Sequence, residues 1–192
     1  DKRSSKNELR NEHKRVNYLD SVVNEASEFY SPYADIMKLV GVGNHESAIL
    51  NLYGTNLIDR FADRMRMLHK SECCAGGYGG WVLLKFNVRK TVSIQKRIKY
   101  FHGAGGGGPV TRGVIQSNRQ AVYLPDADVV INGHTHDSWH VPIARERINN
   151  QGGIYQDLQH HVRSSTYTNE YRDGSGGWHV ERWGAPKPLG AV

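Results

Sequence analysis

The chain has 192 residues, 38% of them apolar, and a mean hydropathy of -0.61, which suits one domain with a substantial core and is short for two. No apolar run approaches the roughly 20 residues needed to span a bilayer, so no membrane association is expected. Net charge is +6, which favours acidic partners such as phosphate esters or nucleic acid over neutral ones, although a basic solvated surface would give the same number.

The opening Asp1-Lys2-Arg3-Ser4-Ser5-Lys6 has no apolar segment behind it and is not read as a secretory signal. The chain does not begin with Met, so its start is expected to be missing. Residues 8–30 read as a helix, with Val16, Leu19, Val22, Val23, Ala26, Phe29 and Tyr30 stepping by three and four along one face. Ser31-Pro32 ends it, because the residue before proline is pushed out of helical backbone. Ile36 to Val42 reads as a buried strand running into Gly43. A second helix is expected at about 56–68, with Ile58, Phe61, Met65 and Leu68 on one side.

Cys73 and Cys74 are the two cysteines, and adjacent thiols make a strained disulfide and no zinc site by themselves. The expectation is a reduced, cytoplasmic protein. Gly76-Gly77-Tyr78-Gly79-Gly80 marks a loop, followed by strands from Trp81 to Val88 and from Thr91 to Phe101. In the second strand Val92, Ile94, Ile98 and Tyr100 face one way, and His102 continues that register inward. A glycine-rich loop and a short helix at about 113–123 lead to Asp128 to Asn132, apolar on both faces and therefore central. Strands are expected from His140 to Arg147, Tyr155 to Tyr167 and Trp178 to Trp183. Long helices mixed with parallel-type and alternating strands imply a layered α/β domain spanning 1–192, without repeats or a linker.

Three segments put metal-ligating residue types where strands end, the usual place for sites in open α/β sheets. They are Gly43-Asn44-His45-Glu46, the single His102, and Gly133-His134-Thr135-His136. Imidazole nitrogen with amide oxygen suits Mn, Fe, Zn, Co or Ni better than Ca or Mg. Each segment alone has a plainer reading: a hydrogen-bonded core histidine, a surface loop, or a turn built on Gly and Asn. Their order and their common position at strand ends favour a shared site.

Those three segments, in that order, resemble the last three of the five blocks of the calcineurin-like metallophosphoesterases, covering about 36 to 140. The glycine-rich stretch after His102 looks like the phage-borne members. The resemblance implies an αββα layered sandwich and a two-metal centre that hydrolyses phosphoesters, with phosphodiesters, phosphomonoesters, DNA or RNA as the substrate class. It implies that Asn44, His102 and His134 ligate one divalent transition metal ion, that His136 ligates the other, and that His45 is the acid near the leaving oxygen. Two such cations ~3.5–4 Å apart would neutralise the phosphoryl oxygens and lower the pKa of a bridging water, and a histidine could protonate the departing alkoxide. Carboxylates such as Glu46 or Asp137 would fix the imidazole tautomers. The family's first two blocks, Asp-x-His and Gly-Asp-x-x-Asp, are absent, so the expected reading is a fragment that lacks its first strands and leaves a sheet edge exposed. A naturally short form with a degenerate site is the alternative.

Arg112 and Arg119 could contact phosphate or could face solvent, and His140 could line the rim of the site or serve the fold. The loop Gly103 to Pro109 lacks the Lys-Ser/Thr of a nucleotide-binding loop and fits a flexible rim better. His160 and His161 point to opposite faces of a strand, cannot share one ion, and are read as surface residues. Trp178 and Trp183 read as packing for the last strands, or as stacking platforms beside arginines. Two rival functions remain: a non-catalytic nucleic-acid-binding or structural module of the same fold, and a structural zinc domain.

Overall fold

The computed structural model describes residues 16–105, 108 and 110–190; the part of the expected first helix at 8–15, Asp1, and positions 106, 107 and 109 of the glycine-rich loop lie outside them. The chain divides into two compact units, residues 1–79 and 80–192. Among the described residues, no helix is long and apolar enough to cross a membrane.

In the first unit, helix α1 (Tyr18–Tyr30) and helix α3 (Leu57–His69) supply the core. Val23 of α1 and Phe61, Ala62 and Met65 of α3 are buried with Ala34 and Cys73, and Tyr30 meets the Phe61 ring edge-on at 5.9 Å between centroids. An exposed ion pair between Arg60 and Asp20 links the same helices. Helix α3 starts where the Asn56 side chain accepts hydrogen bonds from the Ile58 and Asp59 amides at 3.1 and 3.3 Å, satisfying two otherwise orphaned donors. Its stretch agrees with the one read from the sequence. Phe29 does not follow the expected oily face; it is 70% exposed.

The strand expected from Ile36 to Val42 shrinks to β1 (Leu39–Val40), paired in parallel with β2 (Cys74–Ala75). Backbone hydrogen bonds run a little past the two paired residues, from the Gly76 amide to the Val40 carbonyl at 2.8 Å and from the Val42 amide to the Gly77 carbonyl at 3.2 Å. Cys73 is buried, Cys74 is exposed, and both are free thiols.

A helix that the sequence reading did not place, α2 (Asn44–Tyr53), begins at Asn44 itself. Gly43 is its N-cap, and the Glu46 carboxylate accepts a hydrogen bond from the Gly43 amide at 2.9 Å. That is half of a capping box, with the carboxylate also favoured by the positive end of the helix. Gly54, in left-handed backbone at φ 67°, closes the other end.

In the second unit a five-stranded mixed sheet runs in the order β3-β4-β5-β7-β6. Strands β3 (Gly79–Arg89) and β4 (Val92–Phe101) form a hairpin joined by two residues. Strand β5 (Val129–Asn132) lies at the centre, parallel to β4 and to β7 (Ile154–Arg163), and β6 (Trp139–Ile148) closes the far edge antiparallel to β7. The central position of the 128–132 segment agrees with the sequence, although Asn132 is a buried polar residue at its end. Helix α4 (Val114–Tyr123) reaches the sheet through Gln120, whose amide exchanges hydrogen bonds with the Asn132 amide at 2.9 and 3.1 Å. The mixed α/β architecture is therefore as expected.

The C-terminal expectations fail in two places. Residues Trp178 to Trp183 are not a strand but a helical turn, α5 (Trp178–Glu181). Gly177 permits it, since its φ of 126° and a position where a Cβ would lie 2.4 Å from the Glu170 carbonyl oxygen admit no side chain. Strand β7 ends at Arg163 rather than Tyr167, and Trp183, expected as packing, is 97% exposed.

Candidate metal-binding histidines

The second unit gathers two of the expected ligands through strand register. Strands β4 and β5 run parallel with Phe101 opposite Asn132, so His102 and Gly133 leave the sheet side by side at its C-terminal edge. The Gly133 amide donates to the His102 carbonyl at 3.0 Å, locking the two exits together. Two glycines make that approach possible. A Cβ on Gly103 would sit 2.6 Å from the Gly133 carbonyl oxygen, at a φ of 102°, and one on Gly133 would sit 3.2 Å from the His102 carbonyl oxygen.

The result is that His102 Nε2 and His134 Nδ1 lie 3.1 Å apart, with the rings steeply inclined at 70°. Two nitrogens, each about 2.0–2.1 Å from one ion and about 90–110° apart around it, are separated by about 3.0–3.4 Å. The pair therefore fits two ligands of one transition metal ion as well as it fits a shared proton. Both rings are half-buried.

The following residues are held in costly backbone. His134 (φ 72°) and His136 (φ 59°) both adopt left-handed conformations, which cost of order 1 kcal/mol or more for a side chain with a Cβ. Between them, the Thr135 amide donates to the Gly133 carbonyl at 2.9 Å, and Thr135 Oγ1 is buried with no hydrogen-bond partner among the described residues. The His136 ring lies near that of His179, at 6.5 Å between ring centroids. Burial holds the His136 pKa below its ordinary value, partly opposed by the Glu170 carboxylate and reinforced by His179, His134 and Lys187. His136 thus stays a neutral imidazole, the form that ligates metals. Glu170 itself pairs with His179 Nδ1 at 3.1 Å.

The loop is braced from below by Arg163, which is 3% exposed. Its Nη1 donates to the Gly133 carbonyl at 2.7 Å, its guanidinium lies over Trp139 at 5.4 Å, and Gly113 passes close to its Nη2. Burial lowers the Arg163 pKa and the nearby Asp137 opposes that, but a guanidinium keeps its proton throughout the useful pH range. Asp137 is buried too, with Oδ1 on Lys187 Nζ at 2.9 Å. Its partner is thus a lysine, where the sequence reading expected a histidine. Arg163, His179 and Glu170 were not singled out from sequence. Arg163 occupies an inward position of β7 that pattern alone reads as apolar, and His179 lies in a glycine-rich segment with no periodicity.

The remaining candidates lie elsewhere. His140 Nε2 is 2.9 Å from His160 Nδ1, the rings stacked at 5.1 Å on β6 and β7. His161 overturns the surface reading: it is 0% exposed, opposite the buried Val130 of β5, and its Nε2 meets Gln159 Oε1 at 3.0 Å. Arg112 is exposed at φ 45°, and its carbonyl accepts from Trp139 Nε1 at 3.0 Å. Arg119 faces solvent on α4.

Asn44, His45 and Glu46 belong to the first unit, in the first turn of α2. There Asn44 is half-buried, His45 is exposed, and Glu46 is engaged by the Gly43 amide. Among the described residues no three His, Cys, Asp or Glu side chains group as a complete metal site.

The chain matches no family model, no curated protein and no solved structure.

Proposed function

We propose that this chain carries a metal-binding half-site of a phosphoester hydrolase of the metallophosphoesterase type. The observation that carries the reading is the 3.1 Å approach of His102 Nε2 to His134 Nδ1 at the C-terminal edge of two parallel strands. His102 and His134 would hold one divalent transition metal ion, and His136, kept neutral by burial, would serve a second. Such ions supply Lewis acidity and neutralise phosphoryl charge.

What the protein contributes is position. Arg163 and the Gly103/Gly133 contact fix the loop that presents His134, so little reorganisation is needed when a ligand arrives. The family resemblance assigns Asn44 and His45 to the same reaction, His45 as the donor of the leaving-group proton. An imidazolium beside the leaving oxygen can protonate the departing alkoxide.

The test is hydrolysis of bis(p-nitrophenyl) phosphate by the full chain with added Mn, alongside His102→Ala, His134→Ala and His45→Ala. Loss of turnover in all three supports the reading. Equal rates in the variants, or no turnover together with no uptake of Co by absorption spectroscopy, overturn it.

A further inference from the structure

The β3–β4 hairpin carries a charge imbalance that the rest of the chain does not. Of the 25 lysines and arginines, six lie between residues 79 and 101: Lys85, Arg89, Lys90, Lys96, Arg97 and Lys99. None of the 19 acidic residues falls there, so the other 19 cations balance them and the hairpin accounts for the whole net charge of +6. Asp128 partly offsets the inner strand: it accepts from the Arg97 amide at 2.8 Å and lies 4.0 Å from Lys96 Nζ. Among the described residues, no carboxylate pairs with Lys85, Arg89, Lys90 or Lys99.

The same hairpin exposes large apolar side chains. Trp81 is 46%, Leu83 59% and Phe86 51% exposed, on a strand that forms the outer edge of the sheet. Lys99 Nζ lies 5.5 Å from the centre of the Trp81 ring, so both project from one face. Lys85, Arg89 and Lys90 lie further along the same hairpin, towards its turn. An exposed indole therefore has one cation over its ring and a run of further cations along the same ribbon.

We propose that this hairpin binds unpaired polynucleotide, with Trp81 stacking a base, Lys99 meeting a flanking phosphate, and Lys85, Arg89 and Lys90 following the strand towards the turn. An aromatic platform framed by cations is what a single strand needs, because every base has a π-face and every linkage a charge. Self-association through the β3 edge would bring six cations against six. Insertion of the hairpin tip into an anionic membrane would bury Arg89 and Lys90, which sit at the turn. The inference goes beyond the phosphoesterase reading and does not depend on metal.

The experiment uses the full chain in excess chelator, with a fluorescent oligothymidylate followed by anisotropy across a range of KCl. The expected log–log salt slope is about -4 if all six cations engage, at about -0.7 per phosphate for single strands. The combined Lys85→Gln, Lys90→Gln and Lys99→Gln substitutions should flatten the slope by about 2, at about 0.7 per cation removed. Trp81→Ala should weaken binding on the order of tenfold while Trp81→Phe largely preserves it; Trp81 is exposed, and unchanged melting temperatures establish that the variants fold. The proposal is overturned by binding indifferent to these substitutions, by tighter binding to phosphatidylserine vesicles than to oligothymidylate, or by sedimentation showing a dimer that the same substitutions dissociate. Because chelator is present throughout, failure here leaves the hydrolase test untouched, and the reverse also holds.

Discussion

His102 and His134, 32 positions apart in sequence, place ring nitrogens 3.1 Å from each other because β4 and β5 are parallel and end level, Phe101 opposite Asn132. If these rings ligate one ion, replacing either should cost more than losing an outer hydrogen bond to a ligand, which is worth about 10- to 100-fold in metal affinity. We expect His102→Ala and His134→Ala each to weaken Co binding on the order of a hundredfold or more. His140→Ala, on a separate histidine pair, should leave it unchanged. Spectroscopic titration with Co checks all three, and equal affinities would remove the pair from consideration as ligands.

Gly103 sets how closely the two loops approach. Its φ of 102° and the 2.6 Å that would separate an added Cβ from the Gly133 carbonyl oxygen are both hostile to a side chain. Gly103→Ala should lower stability by about 1–3 kcal/mol and weaken metal binding along with it, as the rings are pushed apart. Gly105→Ala provides the control: its φ is also positive at 78°, but nothing stands within 4 Å of the added carbon. Chemical denaturation of the two variants separates backbone strain, common to both, from the collision specific to Gly103.

The sequence made the helix at 57–69 and the sheet strands of the second unit legible, because their periods are local properties of the chain. The adjacency of His102 and His134 could be suspected only from their common position at strand ends, since register is a long-range property. Helix α2 stayed hidden because Gly43-Asn44-His45-Glu46 reads equally well as a turn; the Glu46 carboxylate on the Gly43 amide decides it. The C-terminal turn at Trp178 depends on Gly177 escaping a collision with Glu170, a contact between residues seven apart that no periodicity encodes. His161 looked like a surface residue because His160-His161 is polar on both faces. Gln159 supplies the hydrogen bond that lets it be buried.

Arg163 is a positioning residue whose effect should be separable from bulk stability. It donates to the Gly133 carbonyl at 2.7 Å, and a lysine has neither the reach nor the planar fork to replace it while stacking on Trp139. Arg163→Lys should cost about 1–3 kcal/mol by leaving that carbonyl without its charged donor. It should also broaden or shift the Co absorption bands, as the loop carrying His134 loosens. A merely structural role predicts the stability loss with unchanged spectra in the folded protein, so the bands decide between the two.

Stability should fall on mild acidification, and His161 gives the sign. Burial, reinforced by Arg145, holds its pKa below the ordinary histidine value in the folded chain, and its Nδ1 is buried without a partner among the described residues. The unfolded chain therefore takes up a proton near pH 6.5 that the folded chain refuses until lower pH. Above pH 6.5 both states are neutral here and nothing is lost; below it, unfolding is favoured by up to about 1.4 kcal/mol per pH unit until the folded-state pKa is reached. His136, also lowered by burial, acts in the same direction. Urea denaturation at pH 7.5 and 5.5 should show this loss, and His161→Gln, which does not titrate, should reduce it even if its stability at pH 7.5 is lower. A pH dependence unchanged by His161→Gln would mean that the buried imidazole accepts its proton as readily folded as unfolded.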